Sequence, residues 1–181
     1  NMEEYLWVNN DEYNGQIDED DDDIKNCIID DITGFNVPEK NGHIENISSA
    51  HGTAVASVIL NYFSHPSVDN IPIKMMNIKF TQEIDYVERG TLFDALCGML
   101  YAIDQEADII NASWGYYHNE KHVVLDSILK KAHKHDIMVV AGAGNDTVDL
   151  DSDKFWPASF ANLDSFENVI SVGALDKFNN E

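Results

Sequence analysis

His51 heads the run His51-Gly52-Thr53-Ala54-Val55-Ala56-Ser57. Imidazole is the side chain best suited to move a proton near neutral pH. The small residues behind it begin a helix expected over 51–62. That helix presents the imidazole in its first turn, and Gly52 leaves room for a close backbone approach. A histidine beside an ordinary buried helix reads the same way, so the heptapeptide does not decide between them. Two more segments place polar groups at strand ends. Ile109-Ile110-Asn111-Ala112 is an apolar run that passes into Ser113-Trp114-Gly115, and Val139-Val140-Ala141 passes into Gly142-Ala143-Gly144-Asn145. Open α/β sheets bind ligands at the carboxyl ends of their strands. Alone, Asn145 is equally a turn residue, because asparagine tolerates left-handed backbone. Trp114 alone is more often a core aromatic than part of a binding edge.

The elements that must position these groups follow from hydrophobic periodicity. From residue 71 onward strand and helix patterns alternate, which indicates a mainly parallel α/β sheet with crossover helices. Strands are expected at 73–80, 108–112, 137–141 and 168–172. Residues 91–105 read as a helix with Leu92, Ala95, Leu96, Met99, Leu100 and Ile103 on one face. Residues 121–135 read as another, with Val124, Leu125, Ile128, Leu129 and Ala132 inward. Residues 147–167 read as a polar, loop-like excursion, and no internal repeat is present.

The 181 residues suffice for one domain with a sizeable core, and 44% of them are hydrophobic. No apolar run approaches bilayer length. The net charge of -22 argues against nucleic acid, whose phosphates it would repel. Much of the charge sits early: residues 18–31 hold eight acids and one lysine. Clustered carboxylates require solvation or a hard cation, and calcium accepts several oxygen ligands, with Asp18, Asp20 and Asp22 as candidates. An EF-hand counted from Asp18 would need glycine and glutamate where Asp23 and Ile29 stand. The segment is therefore a solvated acidic loop or a calcium loop of another kind. Cys27 and Cys97 are too few for a disulfide framework. Cys97 falls on an apolar helix face, while carboxylates around Cys27 disfavour its thiolate, so neither is expected to be a nucleophile.

Taken in order, the segments 51–57, 113–115 and 142–145 resemble the subtilisin-like serine proteases (subtilases, peptidase S8). Phe155-Trp156-Pro157-Ala158, followed by Asn168-Val169-Ile170-Ser171-Val172-Gly173-Ala174, resembles the family's next segment and strand. Ala54 stands where a second histidine is usual. The likeness spans about residues 7–176 and implies a three-layer, doubly wound, mainly parallel α/β fold, incomplete in this chain. It implies a serine endopeptidase reaction through an Asp/His/Ser triad. His51 would be its base and Asn145 its oxyanion donor. Ser113, Trp114 and Gly115 would form one wall of the substrate pocket, and Gly142, Ala143 and Gly144 the other. The expected substrates are peptides or proteins, the expected location is secreted or cell-envelope, and calcium is the expected structural ion.

The family's serine follows Gly-Thr at the start of a helix, and no Gly-Thr-Ser occurs here. The likeness of Trp7 to Asn36 places the triad aspartate before Asn1, with Asp30 or Asp31 as rival. The expectation is therefore a piece of a catalytic domain. It has an acidic segment over 1–50 and a strand–helix core over 51–181, and is inactive alone. A partner strand or an oligomer would complete its sheet. Two other readings stay open. One is a non-catalytic relative that binds extended peptides. The other is an unrelated doubly wound ligand-binding domain, although neither a phosphate loop nor Gly-x-Gly-x-x-Gly is present.

Overall fold

The structure, a computed structural model, describes residues 2–12, 28–44, 50–65, 68 and 71–176. The chain divides into two compact units, Asn1–Gly98 and Met99–Glu181. In the first, strand β1 (Gly34–Asn36) pairs in parallel with β2 (Asn77–Lys79), with Phe35 opposite Ile78. Gly34 is needed there, because a Cβ at that position would lie 1.9 Å from the Asn77 carbonyl oxygen. Leu6 bridges Met75 in parallel, and the Trp7 amide donates to the Met75 carbonyl at 2.9 Å. Helix α1 (His51–Phe63) runs one residue past its expected end. Its sequence is apolar on most sides, a pattern that ordinarily goes with burial on most sides. Only Leu60 of it is buried, while Val58 and Tyr62 are exposed.

After β2 comes an antiparallel hairpin, β3 (Thr81–Ile84) and β4 (Val87–Gly90), which the sequence pattern does not announce. Its turn residues Asp85 and Tyr86 both adopt positive φ, at 53° and 62°. That is the backbone of a two-residue hairpin turn whose twist suits the strands. Asparagine and glycine usually supply it, which is why this turn went unread. Helix α2 (Leu92–Asp104) begins in the first unit and ends in the second. Ala95, Leu96, Met99 and Ile103 are buried as the periodicity requires.

The second unit is built on a parallel three-stranded sheet in the order β5 (Ile109–Ala112), β7 (Met138–Gly142), β9 (Val169–Val172). Helix α3 (Val123–Lys134) lies against β7. It buries Leu125, Ile128, Leu129 and Ala132, while Val124, expected inward, is exposed. Val139 and Ala141 of β7 are fully buried. Alternate positions Ile109, Met138, Ile170 and Val172 are exposed on the sheet. Residues 147–167 are not a simple loop excursion. Strand β8 (Phe155–Trp156) pairs antiparallel with β6 (Tyr116–Tyr117), and a 3-10 turn follows over Ala158–Asn162. Trp156, Phe160 and Phe166 stack in succession, with ring centroids 4.6 Å apart at both steps. The apolar content of this stretch is spaced by tertiary packing and so shows no helix or strand period.

Two polar devices lock this unit. The buried Asn168 amide donates to the carbonyls of Leu129 at 3.4 Å and Ile137 at 3.0 Å, tying the start of β9 to the middle of α3 and to the residue that precedes β7. Asp126, 8% exposed, takes Lys121 Nζ at 2.5 Å and Lys130 Nζ at 2.7 Å. Both ammonium groups also lie over the Phe166 ring, at 5.7 and 5.6 Å. Burial alone pushes the Asp126 carboxyl up, but hydrogen bonds and charge from the two lysines hold it below its ordinary 3.8. A lowered native pKa contributes stability that is present above the unfolded value and lost as pH falls through the native one. Because the lysines are about half exposed, Asp126→Asn is expected to cost only about 1 kcal/mol at pH 7. Paired urea melts should show that cost at pH 7 and none well below pH 3.8.

Candidate active site

The β5–β7 ladder does the positioning. Its register sets Ala112 opposite Ala141, so the segments that leave the two strands, 113–115 and 142–145, start side by side at the carboxyl edge. The Asn111 amide donates to the Ser113 hydroxyl at 2.9 Å, and the Ala143 amide donates to the Val172 carbonyl at 2.9 Å. Gly144 adopts φ +98°, which a side chain rarely tolerates, and the chain then turns outward so that Asn145 is exposed. The sequence-predicted walls, Ser113, Trp114, Gly115 and Gly142, Ala143, Gly144, are therefore brought together within one unit.

Sequence reasoning missed what stands against those walls. β6 continues directly from Gly115 and pairs with β8, placing Tyr117 opposite Phe155. Their rings meet at 4.8 Å with planes inclined by 52°. A Cβ at Gly115 would lie 2.3 Å from Phe155 Cε1, and one at Gly144 would lie 3.5 Å from the same atom. The Tyr117 hydroxyl donates to Asp146, the residue after Asn145. Desolvation, that bond, and the charges of Asp146 and Asp153 raise the phenol above its ordinary value. The aromatic pair Phe155-Trp156 before Pro157 was legible in the sequence, but not that the Phe155 ring would reach the glycines.

His51 occupies the first position of α1, is exposed, and belongs to the other compact unit. Gly52, expected to admit a close backbone approach, has nothing within 4 Å of a Cβ placed on it among the described residues. Asp31 is fully buried and Asp30, 9% exposed, adopts φ 52°, both in the tight segment before β1. The metal candidates Asp18, Asp20 and Asp22, and Cys27, lie outside the described residues. Among the described residues no group of three His, Cys, Asp or Glu is arranged to hold a metal ion. Cys97 is half-buried, and burial followed by the charge of Asp94 pushes its thiol up, away from nucleophilic use. No helix among the described residues is long and apolar enough to cross a membrane.

Known proteins carry the same organisation. Subtilisin-like protease 2 of Plasmodium falciparum is 28% identical over 134 residues, covering 72% of this chain and 10% of that protein. The Thermophilic serine proteinase of Bacillus sp. (strain AK1) is 32% identical over 129 residues, covering 71% of this chain and 29% of that protein. The chain thus spans well under half the length of these curated relatives. Among solved structures, that of a lanthipeptide protease superposes with a TM-score of 0.63 at 22% identity, over 81% of this chain and 42% of that one. That likeness shows the fold. The model of the Subtilase family matches residues 11–181, nearly the whole of the sequence, and the chain belongs to that family of proteases.

Proposed function

We propose that these residues form part of a serine endopeptidase site that hydrolyses peptide bonds, with His51 as general base and Asn145 as oxyanion donor. The observation that carries the reading is the β5–β7 register, which sets the two pocket walls side by side at the carboxyl edge of a parallel sheet. In this scheme His51 takes the proton of the attacking serine and delivers it to the leaving amine. The serine attacks the scissile carbonyl, and negative charge develops on its oxygen. The Asn145 amide donates to that oxygen, and the edge of residues 113–115 pairs with the extended substrate backbone. No Gly-Thr-Ser occurs in the 181 residues, so the scheme assigns the nucleophile to a serine elsewhere on the polypeptide. It likewise assigns the carboxylate to an aspartate before Asn1, with buried Asp30 or Asp31 as the local alternative. The 181 residues alone then supply no acyl-enzyme. Secretion or a cell-envelope location belongs to the same reading and rests on family resemblance.

The same reading gives the acidic segment a calcium ion, held by carboxylates that include Asp18, Asp20 and Asp22. Its donors are all oxygen, as calcium requires. The ion is structural and takes no part in the reaction.

In the full-length protein, His51→Ala should abolish most turnover of peptide substrates and most labelling by a fluorophosphonate. Asn145→Ala should lower kcat by about 10²–10³-fold, the range known for such a donor in subtilisin itself, with KM little changed. Unchanged kcat/KM in the His51 variant would remove the base from this scheme. For calcium, melts in excess calcium and in chelator should differ by several degrees, and the difference should shrink when Asp18, Asp20 and Asp22 are replaced by Asn. Superimposable melts would dismiss the ion.

A further inference from the structure

The two glycines that face the candidate pocket, Gly115 and Gly144, would ordinarily leave room between the walls for a large side chain. Here that room is taken. The Phe155 ring lies against both: a Cβ at Gly115 would meet its Cε1 at 2.3 Å and Cζ at 2.4 Å, and one at Gly144 its Cδ1 and Cε1 at 3.5 Å. The Tyr117 hydroxyl closes on Gly144 from the side, 3.1 Å from where its Cβ would be. Nor is the ring free to swing away. Phe155 is paired with Tyr117 in the β6–β8 ladder and stacks on it at 4.8 Å, and its amide donates to Ser159 Oγ at 2.9 Å. The next residue, Trp156, is buried and donates from its indole nitrogen to the His118 carbonyl at 2.9 Å.

We infer that Phe155, backed by Tyr117, is the specificity-determining residue of this pocket and restricts it to peptides with a small residue, glycine, alanine or serine, on the acyl side of the scissile bond. The inference rests on the protease reading above for the identity of the pocket. A larger side chain would have to displace a ring that is stacked and held at its backbone. In packed interiors even one added methylene is resisted.

The test uses the full-length protein and two readouts. The first is kcat/KM for extended peptides that differ only at the acyl-side residue, alanine against phenylalanine. The wild type should favour alanine by at least about tenfold. Phe155→Gly, with Phe155→Ala as the milder variant, should reduce or reverse that ratio. The second is equilibrium binding of product-like peptides ending in alanine or phenylalanine, which needs no turnover. If turnover is absent or insensitive to His51→Ala, the protease reading fails, and the binding preference still decides the pocket. Equal or stronger use of phenylalanine by the wild type, no binding of either peptide, or a folded Phe155 variant with the wild-type ratio would each overturn the inference. Should both variants fail to fold, the wild-type ratio alone decides.

Discussion

Pairing along β7 is the constraint on which the second unit depends. As the central strand it fixes β5 on one side and β9 on the other, residue against residue. Because side chains alternate along a strand, a one-residue slip would turn Val139 and Ala141 away from α3. The same slip would separate the segments that leave β5 and β7, so core and site share one register. Asn168 adds a check on it, since its amide reaches both the middle of α3, at Leu129, and Ile137 just before β7 only when β9 is in place.

The long elements were legible because their periods are strong. Helices α2 and α3 fall within a residue or two of the limits expected from their apolar faces, and the sheet strands Ile109–Ala112 and Val169–Val172 sit inside the expected runs. What escaped was structure specified by partners rather than by period. Strands β6 and β8 have two residues each and exist only because they pair with each other. The hairpin turn at Asp85 and Tyr86 holds left-handed backbone without the glycine that would have announced it.

The candidate site divides in the same way. That its two candidate walls start side by side could be read because small polar residues followed apolar strands. Gly115 and Gly144 could be named from sequence, yet a sequence does not say what fills the volume a glycine leaves. The answer came from Phe155, forty residues beyond Gly115, and only through the β6–β8 pairing. Val124 shows the complementary limit: its helical position points to the apolar face, but it remains half exposed there.

The uncovered positions of the parallel sheet have a consequence for biogenesis. Parallel strands are stable when both faces are covered. Ile109, Met138, Ile170 and Val172 therefore form an adhesive patch on any nascent chain that has completed β9 but has no second layer over them. Left uncovered, such a sheet is a substrate for chaperones and for self-association. Covering that face, rather than forming the strands, would then be the step at which yield in the cell is won or lost. Solubility of partial polypeptides should accordingly track whether those four side chains are shielded, independently of anything that happens at the carboxyl edge.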